Sequence, residues 1–470
     1  MYFTFYFLRP TKIQNIFLRF YFDTNPYIPD VLYNFVILNL ISNILYNKLQ
    51  MKVFKFGGAS VKDADGVRNL ASIIQEYPDQ LVIVVSAMGK TTNSLEVLAK
   101  NYFNENREEL LVNINTLKQF HSAIIENLFN DFSEEVKLTL SSDFEQLNIR
   151  LAHPPSLDYD FEYDQIVSLG EILSTKITSA YLNYVGIKNR WIDIRTGLRT
   201  DATWREGNID WSLSNGLIHS KFNFNENRIY VTQGFIGATV TDQTTTLGRE
   251  GSDYTAAVLA NMLDSDSVTI WKDVQGIMNA DPHKFNVTQK LDMLSYREAV
   301  EMTYYGAKVI HPKTMKPLVE KDIPLYVRSF IQPLENGSVI CRIDHVMNYV
   351  PVFISKEDLI LITISPLDFS FIAEESISKI YKLFAHYRIK VNLVQQSAMN
   401  FSVAIDHPER GFDHLISDLK NKFVVHYNEG LELLTIRYYT EEVIHQMIEK
   451  RTVLVAQRTR TTARFLMKQV

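Results

Sequence analysis

Four short segments carry residue types that could handle a phosphorylated ligand. The first is Lys55-Phe56-Gly57-Gly58-Ala59-Ser60, where an apolar run ends in a lysine and two glycines. Such a turn lets the backbone approach a ligand and aim its N–H groups at phosphate oxygens, and a helix start just beyond favours anions. Two glycines also suit a plain strand-to-helix turn. The second is Gly248-Arg249-Glu250-Gly251-Ser252-Asp253. Arg249 offers a planar fork matched to a carboxylate; Asp253 could orient a lysine or a metal-bound water, or simply cap the helix that follows. The third, Trp271-Lys272-Asp273-Val274-Gln275-Gly276 with Asp281-Pro282 downstream, lies at a strand end, where open α/β sheets bind ligands. The fourth, Gly306-Ala307-Lys308-Val309-Ile310-His311-Pro312, supplies Lys308, which suits phosphate or solvent equally. His311, before a proline, reads as structural.

Other chemistries are excluded. No G-x-G-x-x-G follows a strand, and Gly89-Lys90-Thr91 ends like a P-loop but has Val84 where the first glycine must stand. The chain has 48 basic and 54 acidic residues, a formal net charge of −6 and no basic stripe, which gives no electrostatic case for nucleic acid. The single cysteine, Cys341, excludes an intrachain disulfide and a multi-cysteine metal site and suits a reducing cytoplasm.

The elements that must position these residues alternate from Met51 onward. MKVFKFG, LVIVVSAMG, RIYVTQGFIGA and DSVTIWKDV read as strands buried on both faces of a parallel sheet. Helical spacing marks Asp63 to Tyr77, most of residues 92–150, Gln165 to Val185 and Asp253 to Leu263, with His153-Pro154-Pro155 as a break. The pattern predicts a three-layer α/β/α domain with a mainly parallel sheet over residues 51–340. After it, DLILITI, Ile377 to Phe384, VNLVQQS, NFSVAID, Phe412 to Leu419 and FVVHYNE follow the βαββαβ order of a ferredoxin-like α+β unit, at 355–430. LELLTIRYY, Glu441 to Glu449, TVLVAQ and ARFLMK, at 431–470, read as a partial second copy. At 470 residues the chain is long enough for such an arrangement. Residues 1–50 differ: they are aromatic-rich and nearly free of acid, and their most apolar stretch is interrupted by Asn34, Asn39 and Asn43. That stretch is short for a membrane span. The expectation is an extension outside the fold.

In order, KFGGAS, VVSAMGKTTN, SLGEILS, VTQGFIG, TLGREGSDYTA, WKDVQGI-x-x-ADP and GAKVIHPKT resemble the aspartate kinases of the amino acid kinase superfamily. The resemblance covers the chain from Met51, with the C-terminal copies as ACT-type repeats. It implies ATP-dependent phosphorylation of the β-carboxylate of L-aspartate, the first step toward lysine, threonine and methionine. Lys55 would neutralise the transferring phosphoryl group. Ser86, Thr92 and Glu171 would line the aspartate pocket, with Glu171 on the ammonium. Arg249 would clamp the α-carboxylate, and Asp253 would orient Lys55 and Arg249. Gly57, Gly58, Lys272, Asp273, Met278, His283 and Lys308 would meet the nucleotide. Mg²⁺ would ride on phosphate oxygens, with no direct side-chain ligand.

The sequence departs from the family pattern at Ala59, Lys90, Met278 and His283; the last two stand where Tyr and Arg are common, which bears on nucleotide contacts. Asn392, Gln395 and Ser397 mark the strand where an effector, lysine or threonine, would bind. The ACT region also implies a homodimer or larger homo-oligomer. The competing readings are a kinase of another acceptor, such as acetylglutamate, glutamate or carbamate, and a catalytically inactive amino-acid sensor. GREGSD with tandem ACT-type repeats argues against the first, and intact Lys55, Glu171, Arg249 and Asp253 against the second.

Overall fold

The computed structural model describes residues 50–285, 288–307, 310–344, 350–368, 370–408 and 411–468. The expected extension, over residues 1–49, and Lys308 lie outside the described residues. No helix among the described residues is long and apolar enough to cross a membrane.

Eight strands form one sheet in the order Met293–Ser295, Ser338–Cys341, Leu325–Ser329, Ser267–Lys272, Met51–Phe56, Gln80–Val85, Ile229–Gln233, Arg190–Ile192. Every pairing is parallel except Leu325–Ser329 with Ser338–Cys341. Successive residues of the central strands enter two different cores, which is why those strands are apolar without alternation. Phe54, Phe56, Leu81, Ile83 and Val85 pack with the helices Ala64–Gln75, Arg107–Phe129 and Leu169–Tyr184. Val53, Val82 and Val84 pack on the opposite side with the helix Gly251–Met262. The result is the α/β/α layering expected from the sequence.

Two elements differ in their limits from the sequence reading. RIYVTQGFIGA reads as one strand but divides: Ile229–Gln233 stays in the sheet, while Ile236–Ala238 pairs antiparallel with Thr244–Thr246. The break is a close approach of backbone to helix. A Cβ on Gly234 would lie 2.5 Å from the Cβ of Ser252, and the next residue, Phe235, has φ 69°. The helix predicted over Gln165 to Val185 likewise divides into Tyr159–Val167 and Leu169–Tyr184, joined at Ser168.

A second sheet follows, in the order Val391–Gln396, Phe401–Asp406, Val352–Pro366, Phe423–Arg437, Thr462–Lys468, Val453–Arg458, with every pairing antiparallel. FVVHYNE and LELLTIRYY, read as separate strands, are one strand, Phe423–Arg437. Its first part pairs with the second part of Val352–Pro366 and its second part with the first, and the register shifts between Lys356 and Leu361. Such an irregularity re-phases which side chains face which side. Ile360, Ile362 and Ile364 pack with the helices Glu374–His386 and Phe412–Lys420, whereas Leu434 and Ile436 pack with the helix Glu441–Ile448.

One buried ion pair joins the two sheets' layers. Arg437, the last residue of its strand, donates from Nε and Nη2 to the two carboxylate oxygens of Glu298 at 2.6 and 2.7 Å. Glu298 lies in the helix Tyr296–Tyr305, and the two side chains are only 6% and 3% exposed. The Tyr438 hydroxyl donates to Glu298 Oε2 at 2.7 Å, and Arg437 Nη1 donates to Thr462 Oγ1 at 3.0 Å. A buried pair of this kind adds little over an apolar pair, but removing one partner strands a charge. Arg437→Met is therefore expected to lower unfolding free energy by about 3–5 kcal/mol, measured by thermal or urea unfolding. Arg437→Met with Glu298→Met is expected to recover most of that loss. Wild-type stability in the single variant would show that the pair does not hold the layers together.

Candidate active site

The cleft lies at the carboxyl ends of the parallel strands and has a volume of about 1060 Å³. It brings together Lys55, Ser86, Thr92, Glu171, Arg249, Asp253 and Lys272 from segments far apart in sequence. Lys55, near the end of the central strand, places its Nζ 2.7 Å from Asp253 Oδ1, with side chains 12% and 5% exposed. Asp253 stands in the first turn of Gly251–Met262, so the pair ties that helix start to the sheet. The turn after Lys55 is compact because Gly58 leaves room for it. A Cβ there would meet the Ala87 carbonyl oxygen at 2.5 Å, and one on Gly57 would reach the Lys55 ammonium at 3.4 Å. Gly58 carbonyl instead accepts from the Gly89 N–H at 3.0 Å, which locks the loops after the two central strands together.

Glu171 is buried on the cleft wall, in the first turn of Leu169–Tyr184. Its Oε1 accepts from the Ala87 N–H at 3.3 Å, and its Oε2 has no hydrogen-bond partner among the described residues. Burial pushes its carboxyl up to about 8, against the opposing pull of the Ala87 N–H and the Lys55 charge. The same helix is pinned where Ser174 Oγ donates to the Ser86 carbonyl at 2.7 Å. A buried carboxylate with a spare oxygen is suited to a cationic donor on a ligand.

Arg249 is exposed at the cleft, and its guanidinium makes no hydrogen bond or ion pair among the described residues. Its loop is braced from behind: Glu250, at φ 54°, accepts the His311 N–H at 2.9 Å, and Lys313 Nζ donates to the Leu247 carbonyl at 3.2 Å. His311 also caps the next helix by accepting from the Lys313 N–H, so its role is structural. An open guanidinium, a buried carboxylate and an ammonium held by a second carboxylate can together orient a zwitterion and stabilise a phosphoryl group.

The other expected residues lie apart. Asp273 is exposed just beyond Lys272. Met278 pairs with Lys290 in a short antiparallel ladder, and His283 is exposed in a turn held by Asp281; neither lines the cleft. That loop leans instead on the second sheet, with Asn279 donating to the Pro351 carbonyl and Phe285 against Phe353. In the second sheet Asn392 is tied to Lys356 at 2.8 Å and to Asp406 at 2.9 Å, while Gln395 and Ser397 are exposed. No group of three or more His, Cys, Asp or Glu able to hold a metal occurs among the described residues.

Sequence reasoning missed the far wall. Asp164 is fully buried and accepts from the Arg205 N–H, the Thr246 N–H and the Thr246 hydroxyl at 2.9, 3.0 and 2.7 Å. Burial raises its carboxyl above the ordinary range. It fixes the segment carrying Trp204 and Arg205, which line the cleft; Arg205 lies over the Tyr163 ring at 4.3 Å. Phe235 and Ser252 also line it. An aspartate inside a helical pattern gives no signal that its partners lie on a distant hairpin. Ser252 was legible as part of GREGSD but stood beside stronger candidates.

The sequence profile of the amino acid kinase family matches residues 50–329. The chain is similar to lysine-sensitive aspartokinase 3 of Escherichia coli (strain K12), with 32% identity over 370 residues, 76% of this chain and 78% of that protein. It is also similar to the chloroplastic aspartokinase 1 of Arabidopsis thaliana, with 29% identity over 405 residues, 82% of this chain and 70% of that protein. Among solved structures, E. coli aspartokinase III in complex with aspartate and ADP (R-state) superposes with a TM-score of 0.74 at 26% identity, covering 89% of this chain and 96% of that one. The same enzyme with lysine and aspartate (T-state) gives 0.75, also at 26% identity, covering 88% and 95%.

The Glu171 carboxyl has a consequence for stability. Below its ordinary value of 4.5 it is protonated folded and unfolded, and nothing is lost. As pH rises toward 8 the unfolded chain ionises it while the fold retains the proton, so the folded state loses stability; above 8 the loss is constant. Glu171→Gln, which removes the charge, is therefore expected to be stabilising by up to a few kcal/mol, at about 1.4 kcal/mol per pH unit. The gain should appear in melting curves at pH 9 and vanish at pH 4.5. An equal effect at both would show that ionisation is not its source.

Proposed function

The chain belongs to the aspartokinases of the amino acid kinase family, and we propose how its cleft divides the work of that activity. The protein is an aspartate kinase, an ATP-dependent phosphotransferase with a carboxyl group as acceptor. Its product is 4-phospho-L-aspartate, which feeds amino-acid biosynthesis. The observation that carries the assignment of roles is the Lys55–Asp253 pair standing in one cleft with a buried Glu171 and an open Arg249.

The acceptor carboxylate is ionised at neutral pH, so the reaction needs no general base. Catalysis rests on alignment and charge neutralisation. Arg249 holds the α-carboxylate with two parallel hydrogen bonds, and Glu171 accepts from the ammonium through its spare oxygen. Ser86 and Thr92 line the same pocket. With the α-carboxylate and the ammonium both fixed, the β-carboxylate faces the γ-phosphate. Lys55, oriented by Asp253, directs its ammonium to the transferring phosphoryl group, while the start of Gly251–Met262 contributes its dipole. Gly57, Gly58, Lys272 and Asp273 supply the nucleotide side, and the family resemblance adds Lys308; Met278 and His283, which do not line the cleft, are left without a nucleotide contact. Mg²⁺ fits this donor set as an ion carried on phosphate oxygens and water, since the cleft carboxylate next to Lys55 already has a cation partner. When bound, it neutralises charge on the phosphates.

The E. coli relative is named lysine-sensitive, and its T-state structure contains lysine. By that likeness we assign lysine as the effector, with threonine second, acting on the strand that carries Asn392, Gln395 and Ser397. A cytoplasmic homodimer or larger homo-oligomer formed through the ACT-type region completes the reading.

The test is ADP release from MgATP with a panel of acceptors, with and without lysine or threonine. Activity on aspartate is expected; activity only on acetylglutamate, glutamate or carbamate would overturn the substrate assignment. Two variants test the roles. Lys55→Ala is expected to lower kcat by about 10²–10³-fold, the usual effect of losing one transition-state donor, with a smaller change in nucleotide affinity. Near-normal turnover would remove Lys55 from the reaction. Arg249→Lys and Glu171→Gln are each expected to raise KM for aspartate far more than KM for ATP, because lysine keeps the charge but loses the fork. Impaired ATP saturation with normal aspartate saturation would mean that the pocket holds the other ligand.

A further inference from the structure

We propose that Arg388, at the corner between the helix Glu374–His386 and the strand Val391–Gln396, binds the phosphate chain of the nucleotide in the catalytic cleft. The proposal rests on the aspartate kinase reading and adds a binding residue supplied by the second sheet's layer.

Two independent observations carry it. Arg388 lines the cleft with Lys55, Arg249 and Lys272. Among the cations there, Lys55 is paired with Asp253 and Arg205 with Asp160. The guanidiniums of Arg249 and Arg388 have no partner among the described residues. Second, Arg388 has φ 54° just after the helix cap Tyr387. Its N–H bonds the Ala385 carbonyl at 3.1 Å, and the Ile389 N–H bonds the Phe384 carbonyl at 2.8 Å. Glycine or asparagine suits this left-handed helix ending; a long β-carbon-bearing side chain sits there at the expense of backbone strain. The corner is firmly held, with Phe384 buried and the Tyr387 hydroxyl donating to Asp418 at 2.6 Å. A fixed corner thus presents an unpaired guanidinium to the catalytic cleft.

The ligand follows from charge. The α-carboxylate and ammonium of aspartate are matched by Arg249 and Glu171. The triphosphate carries more negative charge, and a guanidinium suits phosphate oxygens in a bidentate contact. Because the strand bearing Asn392 begins at Val391, a shift of that strand would also move this contact.

The experiment titrates MgATP into the full-length protein by calorimetry, alongside steady-state kinetics. Arg388→Ala is expected to raise the MgATP Kd and the KM for ATP roughly tenfold, as loss of one charge-assisted contact implies, with KM for aspartate little changed. Arg388→Lys should recover part of the affinity. Arg388→Gly relieves the backbone, so it should melt at the same or a higher temperature while showing the same loss of nucleotide affinity. Unchanged nucleotide affinity in Arg388→Ala and Arg388→Gly, or an effect confined to aspartate, would overturn the proposal. If the wild-type protein bound MgATP but transferred nothing to aspartate, the aspartate kinase reading would fail, and calorimetry would still decide the role of Arg388.

Discussion

The ion pair between Lys55 and Asp253 organises the site. One partner ends the central strand and the other opens the helix against the opposite face, so a single 2.7 Å contact sets the strand end, the glycine turn and the helix start relative to one another. Both side chains are largely shielded from water, where the attraction is strong and an unpaired charge would be unfavourable. Lys55 is therefore held in the cleft, where the proposed reaction would place the transferring phosphoryl group. An incoming phosphate offers it a second anionic partner, and Asp253 keeps it from collapsing elsewhere in the meantime.

Around that pair the cleft combines groups that oppose folding with groups that oppose nothing until a ligand arrives. Glu171 is buried with one oxygen unsatisfied, an arrangement that destabilises the empty protein and is relieved by a cationic partner. Arg249 is open and solvated, so a carboxylate replaces water rather than another side chain. Asp164 does the converse work: its carboxylate is consumed by three donors and serves only to fix the wall that carries Trp204 and Arg205. Two buried acids, one satisfied and one not, thus separate structural from binding roles.

The second sheet is joined to the first layer by chemistry as well as chain. Arg437 and Tyr438 grip Glu298 on the helix that leads to Gly306, and the corner after that helix touches Glu250 of the Arg249 loop. Its own two copies share the strands Val352–Pro366 and Phe423–Arg437, so neither can shift without the other. A ligand at one sheet can bias the other only if its contacts differ between two arrangements of these joints.

Local pattern determined much of this protein. Unbroken apolar runs marked the central strands because both faces are covered, and 3.6-residue spacing marked the helices between them. The ordered motifs singled out Lys55, Glu171, Arg249 and Asp253, and the fold gathers all four in one cleft. What sequence could not decide depends on contacts between distant residues. It did not show that Gly234 splits a strand by meeting Ser252, or that two predicted strands fuse into Phe423–Arg437, since each turns on a partner elsewhere in the chain. It did not separate Asp164 from any other helical acid. Nor did it show that Arg388, a charged residue in an ordinary helix-ending turn, faces a cleft built from the other end of the chain. Periodicity reports which side of an element is buried; only the tertiary structure decides against what.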